Sequence, residues 1–293
     1  MLLYLSWRLA VILRRLVPTE FCYGVSAVAG EVIWRFFMSD AAKAATSDRL
    51  RRVSGIESAG RLATLGRRNY RNYARLWADF VRFPTLAPAQ LRAKLVSDRW
   101  PWLHEVLDRG KGCIFVTVHM GNWDLAGGGT SRLGYPFYVI AERFANPWID
   151  RLVVETRKAL GVGVVYEDRP IEAFRVLRRN QILALMLDVP DPGGVEVSLF
   201  GEPARLPAGP ARISLRSGAG IIPLVFHKKR GHADTIFTEV AAPIYPQGTH
   251  DDAAGVRELT QRVVDSLEPM IRHHYDQWYV FRPLWLERDE ATG

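Results

Sequence analysis

Cysteine is scarce: among 293 residues only Cys22 and Cys113 carry a thiol, and both lie in apolar runs. That excludes a disulfide framework and a cysteine metal cluster, and it fits a reducing compartment. Long uninterrupted apolar runs are missing too. The most apolar stretch, residues 1–17 (MLLYLSWRLAVILRRLV), is broken by Arg8, Arg14 and Arg15. It falls short of the roughly 20 apolar residues that span a bilayer, and no small-residue cleavage site marks it as a signal peptide. Acids are in deficit, 31 Asp and Glu against 39 Lys and Arg, for a formal charge of +8. Such an excess suits an acidic partner. Zinc-finger spacing and aromatic nucleic-acid-binding strands are absent, so lipid or a phosphorylated substrate is preferred to nucleic acid. The G-x-S-x-G elbow, the G-x4-G-K loop and H-E-x-x-H are also absent.

A hydrophobic content of 48% is present, enough for a full core without disulfide or metal support. On a helix, Leu2, Leu5, Leu9, Leu13 and Leu16 share one face, with Arg8 and Arg15 opposite. After Pro18 a second apolar stretch, 21–38, is interrupted by Glu31 and Arg35. Residues 1–38 therefore read as amphipathic helices that either lie on a leaflet or pack on the protein's own core. Residues 39–293 read as one domain. It has a helical preface to about residue 100, an α/β core to about 245, and a terminal helix over 251–276 followed by the aromatic tail QWYVFRPLW. In the preface, Leu62, Leu65, Asn69, Tyr73, Leu76 and Phe80 form a buried helical stripe. Arg61, Arg68, Arg75 and Arg82 form a basic one, and Pro84 ends the helix.

Strands are expected at 113–118, 137–141, 162–166, 182–187, 196–200, 221–227 and 236–241. Helical patterns at 147–160, 170–179 and 210–217 come between several of them. Unalternating apolar strands separated by helices predict a single α/β domain. Its mixed, largely parallel central sheet is covered by helices and preceded by the N-terminal amphipathic pair. Functional groups should gather beyond strand C-termini, where His119 and Asp188 both fall.

His119-Met120-Gly121-Asn122-Trp123-Asp124 carries the chemistry. With His119 at a strand mouth and Asp124 in the first turn of the next helix, the carboxylate can hold one imidazole nitrogen and leave the other as a base. Such a base contributes about 10²–10⁴-fold to rate. No serine is placed as a nucleophile, which favours direct attack by an incoming hydroxyl or amine. Gly127, Gly128 and Gly129 permit close approach of a long chain or of packed backbone. Arg143 and Arg157 can grip a phosphate or carboxylate. The Gly/Pro-punctuated loop 200–211 brings Arg205 and free amides to a helix start. Asp188, Asp191 and Glu196 supply further carboxylates that could settle beside His119.

In this order VTVHMGNWDLAGG, AERFANP, FGEPARLPAGPARISLRSGAGIIP and QWYVFRPLW resemble the bacterial lysophospholipid acyltransferase superfamily. The similar branch holds the late acyltransferases of lipid A biosynthesis and the phosphatidylinositol mannoside acyltransferases. The resemblance implies a catalytic pair at His119 and Asp124, a second motif at Glu142 and Arg143, and a supporting glutamate at Glu196. It also implies transfer of a fatty acyl group from acyl-CoA or acyl-carrier protein to a hydroxyl of a membrane lipid. The enzyme would work at the cytoplasmic face of the bacterial plasma membrane, as a peripheral or monotopic protein. Arg143, Arg157 and Arg205 are candidates for donor or acceptor phosphates, with the acyl chain beside the Gly127–Gly129 helix. No metal and no redox cofactor is expected; the partners are the lipid acceptor, the thioester donor and an anionic surface. A non-catalytic lipid-binding protein on the same scaffold is the alternative.

Overall fold

Nine strands and eleven α-helices alternate along the chain in a computed structural model that describes residues 2–13, 16–82, 85–232, 234–247 and 252–286. Six helices come first, α1 (Leu2–Leu13), α2 (Thr19–Phe36), α3 (Asp40–Ser54), α4 (Ala59–Arg82), α5 (Pro88–Ala93) and α6 (Trp100–Asp108), with β1 (Leu95–Val96) before α6. Strand and helix then take turns: β2 (Cys113–Thr117), α7 (Trp123–Arg132), β3 (Phe137–Ala141), α8 (Pro147–Leu160), β4 (Val162–Tyr166), α9 (Pro170–Arg178) and β5 (Ile182–Met186). A hairpin of β6 (Val195–Leu199) and β7 (Glu202–Leu206) precedes α10 (Gly209–Ser217), β8 (Gly220–His227), β9 (Ile236–Val240) and α11 (Ala253–His273).

Seven strands form one sheet in the order β1-β9-β8-β2-β5-β3-β4; only the β8–β9 pairing is antiparallel. Alternation along β2 explains why the sheet needs helices on both faces. Ile114 and Val116 enter the core under α9, α10 and α11, while Cys113 and Phe115 enter the core under α4, α6, α7 and α8. This is the mixed α/β domain expected from the sequence.

Two local features differ from expectation. Residues 202–206 form β7, where a loop was expected. Phe200 (φ 53°) and Gly201 (φ 83°) make a tight two-residue turn that pairs Leu199 with Glu202. Phenylalanine at a positive φ hides that turn from a sequence reading. The terminal helix starts at Ala253 with Asp252 as its cap, and Asp251 and Pro84 lie outside the described residues.

At the N-terminus the two readings merge. Trp7 packs edge-on against Trp77 and Phe80, and the Tyr4 hydroxyl donates to Glu155, so α1 is seated on the domain. Yet Leu9, Ile12, Leu13 and Leu16 stay exposed, as do Phe21, Val25 and Val28 of α2. The side chains of Leu2, Leu5 and Arg8, and residues 14 and 15, lie outside the described set. Among the described residues no single helix is long and apolar enough to cross a membrane.

The aromatic tail is what fastens the preface to the sheet. Asn69 Nδ2 donates to the carbonyls of Asp276 and Trp278, both at 2.9 Å, and the fully buried Arg49 donates from Nε to Val280 O at 3.1 Å. The tail then runs beside the loop after β2, with Tyr279 N donating to His119 O and Gly121 N donating to Gln277 O.

Candidate active site

Parallel pairing of β2 with β5 sets the centre of the site. The register matches Thr117 with Met186, and Leu187 N still donates to Thr117 O beyond the strand ends. Two residues past the matched pair on each strand stand His119 and Asp188. Nδ1 of His119 lies 2.8 Å from Asp188 Oδ1, and Asp188 Oδ2 accepts both the backbone N–H of His119 and the indole N–H of Trp278, each at 2.7 Å. A carboxylate only accepts, so it fixes the proton on Nδ1 and leaves Nε2 as the basic nitrogen.

Burial presses the His119 imidazole toward its neutral form. The charge and hydrogen bond of Asp188 outweigh that pressure and leave its pKa above the ordinary 6.5. Burial alone would raise the Asp188 carboxyl. The His119 charge, with hydrogen bonds from His119 and Trp278, instead holds it below its usual range. Behind this pair Arg49 lies over the Trp278 ring, 5.2 Å from its centre.

Asp124 does not hold the histidine. It is buried in the first turn of α7, where Oδ1 accepts a 2.7 Å bond from Nε of Arg157 on α8. The geometric reason is register: β5 delivers a carboxylate directly opposite His119, while α7 turns Asp124 toward α8. Asn122 starts that helix, its Oδ1 accepting from Leu125 N, and its Nδ2 donates to the buried Asp79. Gly121 must be glycine. Its φ is +62°, and a Cβ there would fall 2.2 Å from the carbonyl oxygen of Phe226.

His119 opens on a cavity of about 850 Å³ above the C-terminal ends of β2, β3, β4 and β5. Val139, Val165, Ala184 and Phe174 supply apolar wall, while Glu142, Arg143, Arg157 and Arg282 bring charge to the same space. The Arg143 guanidinium rests on the Tyr166 ring, 3.6 Å from its centre, with Asp168 at 3.7 Å. Of the expected site residues, His119, Glu142, Arg143 and Arg157 line this one cavity, and Asp124, Glu196 and Arg205 do not.

Glu196 and Arg205 stand elsewhere. They are cross-strand partners on the β6–β7 hairpin, 3.7 Å apart and partly exposed, and neither lines the cavity. The three glycines of α7 are likewise packing positions. Added Cβ atoms at Gly127, Gly128 and Gly129 would press on Phe137, Leu160 and Leu95, so the apolar wall comes from strand ends instead. The sequence offers Asp188 as one of three carboxylates able to settle beside His119 but gives the orienting role to Asp124, and it does not single out Trp278 or Arg282 as parts of the site. The signal available was that His119 and Asp188 each stand just past the end of an apolar strand; the adjacency of those strands is seen only in the fold. Among the described residues no group of three or more His, Cys, Asp or Glu side chains is arranged to hold a metal ion.

Residues 2–287 match the family model for the bacterial lipid A biosynthesis acyltransferases. The chain is also similar to a phosphatidylinositol mannoside acyltransferase of Mycolicibacterium smegmatis, with 30% identity over 245 residues, 81% of this chain and 77% of that protein. A protein of the same name from Mycobacterium tuberculosis (strain CDC 1551 / Oshkosh) is 29% identical over 246 residues, covering 81% of this chain and 75% of the relative.

Proposed function

The chain belongs to the bacterial lipid A biosynthesis acyltransferase family and is an acyltransferase, and we propose that it moves a fatty acyl group from a thioester, acyl-CoA or acyl-carrier protein, to a hydroxyl of a membrane glycolipid. The observation that carries this reading is the Asp188-held imidazole at the edge of a cavity that is apolar on its walls and cationic around them.

His119 Nε2 takes the proton of the acceptor hydroxyl while that oxygen attacks the thioester carbonyl carbon. The tetrahedral oxyanion collapses, the carbon–sulfur bond breaks, and the imidazolium returns the proton to the leaving thiolate. An ester and a free thiol result. Asp188 stabilises the imidazolium without itself taking a proton, as buried carboxylates do beside catalytic histidines. Arg157, held by Asp124, and Arg282 offer cations to the phosphates of donor or acceptor. The acyl chain lies along Val139, Val165, Ala184 and Phe174.

The exposed apolar residues of α1 and α2 support attachment to a membrane, and the reading places it at the cytoplasmic leaflet. The test is turnover of radiolabelled acyl-CoA and acyl-carrier protein by the purified protein, with mannosylated phosphatidylinositol or a lipid A precursor as acceptor. His119→Ala should lower turnover at least about 10²-fold. Near-normal transfer by that variant would overturn the assignment.

A further inference from the structure

A second cavity, of about 540 Å³, lies behind the His119–Asp124 turn and shares no lining residue with the first. Six cations converge on it. Arg68, Arg71 and Arg75 come from α4, and Lys228, Lys229 and Arg230 from the turn after β8. Two carboxylates meet them. Asp276, in the wall, pairs with Arg68 at 3.0 Å, and Asp79, buried beneath, accepts Lys228 Nζ at 2.5 Å. Both acids are thus engaged, and the other four cations have no carboxylate within 4.0 Å among the described residues. Nε of Arg75 is buried without a hydrogen-bond partner, and the nearby Arg71 and Arg68 charges add to burial in destabilising its charged form.

Such a concentration of like charge in a concave site is unfavourable unless an anion fills it. Guanidinium forks with a lysine suit the oxygens of a phosphate. The position of the cavity indicates where the phosphate comes from. Tyr23 of α2 lines it, and the same stretch of helix exposes Phe21, Val25 and Val28 on its outer side. One helix therefore carries both the apolar surface and a wall of the cationic cavity, the combination an acyl chain and its phosphate headgroup present together. We propose that this cavity is a non-catalytic binding site for the headgroup phosphate of an anionic membrane lipid. The assignment is independent of the acyl-transfer reading.

It also bears on the reaction turn. Lys228 and Asn122 both contact Asp79, and Gly121 lines the cavity while hydrogen-bonding the tail at Gln277. A phosphate seated among Arg71, Arg75, Lys229 and Arg230 consequently lies against the elements that hold the N-terminal end of α7.

The experiment compares the full chain with a triple variant, Arg71→Gln, Lys229→Gln and Arg230→Gln, all at exposed positions. A charge-matched control carries Arg178→Gln, Arg179→Gln and Arg257→Gln, exposed away from the cavity. Co-sedimentation uses phosphatidylcholine vesicles made anionic with phosphatidylglycerol or, in a parallel arm, with oleate. The cavity triple should lose about tenfold or more of its partition onto phosphatidylglycerol vesicles. The control should bind like the parent, and the parent should bind oleate vesicles more weakly. Equal loss in both triples, no loss in the cavity triple, or equal parental binding to oleate vesicles would overturn the site. Calorimetry with glycerol 3-phosphate separates the sources: affinity matching that for vesicles, lost in the cavity triple, would make the ligand a soluble phosphate ester and overturn the lipid assignment. Should the triple lose its thermal transition, Arg230→Gln alone repeats the comparison.

Discussion

Asp188 meets His119 twice, through the ring at Nδ1 (2.8 Å) and through the backbone N–H (2.7 Å), so position and tautomer of the histidine are set by the same carboxylate. The third contact, from the Trp278 indole at 2.7 Å, ties that carboxylate to the aromatic tail. Asp188→Asn keeps the shape and removes the charge. Burial would then act on the imidazole with far less opposition, and its pKa should fall. A general base works when unprotonated, so the parent's kcat/KM should rise with pH through a value above 6.5. In the variant that limb should move to lower pH, with the plateau down by about 10²-fold or more. A limb that stays in place would mean Asp188 does not govern the titrating group.

Trp278→Phe tests the same carboxylate from the other side. It leaves an aromatic ring but deletes a hydrogen bond to a buried anion, an interaction worth about 1.5–3 kcal/mol. Asp188 should then be less stabilised as the anion, and its charge, no longer shared with the indole, should move the His119 limb up, opposite to Asp188→Asn. Thermal midpoint and pH–rate profile together check this. A lower midpoint with an unchanged profile would confine Trp278 to packing.

Asp124 now carries a different expectation from the tautomer role first drawn from the sequence. It holds Arg157, with 3% of its own side chain and 13% of the arginine exposed. Asp124→Asn leaves a buried cation poorly paired, which costs about 3–5 kcal/mol where such pairs are broken. Its effect on the His119 titration is the last and least of those present. Steady-state kinetics should therefore show KM for the phosphorylated substrate raised about tenfold, with the pH limb within experimental error of the parent's. Arg157→Lys should share the KM defect, since an ammonium cannot reproduce the guanidinium fork. A shifted limb in Asp124→Asn with unchanged KM would restore the tautomer role.

Strand-level features were legible because apolar runs bounded by Gly and Pro stand out along one dimension. Cys113–Thr117, Phe137–Ala141 and Val162–Tyr166 emerged close to their expected bounds. His119 could be placed at a strand mouth for the same reason. Its partner was only one of several candidates, because sequence proximity favours Asp124 over Asp188, which the sheet brings in from 69 positions away. Strand order is not written in any local pattern: β2 sits beside β5 and β8, not beside β3. The family resemblance points to Glu196, and the loop-like context to Arg205. A hairpin turned on Phe200 and Gly201 pairs them with each other instead, and Glu196→Gln should leave turnover at the parental level.

The last expectation concerns stability and pH. His227 ends β8 with its Nδ1 buried and without a hydrogen-bond partner, and its ring stacks on that of His274 with centroids 3.7 Å apart. Burial, then the His274 and Lys229 charges, push its pKa down from 6.5 to about 4, with Glu239 opposing them. His274 is also depressed, burial outweighing the Glu239 carboxylate 3.0 Å away. In the unfolded chain His227 binds its proton near 6.5, whereas in the folded chain it binds only near 4. As pH falls through that window the unfolded state takes up protons that the folded state refuses, so stability is lost. Denaturant unfolding across the window should show a falling free energy, and His227→Phe, which keeps an aromatic ring against His274, should flatten the fall. A variant as acid-sensitive as the parent would place the loss in other groups.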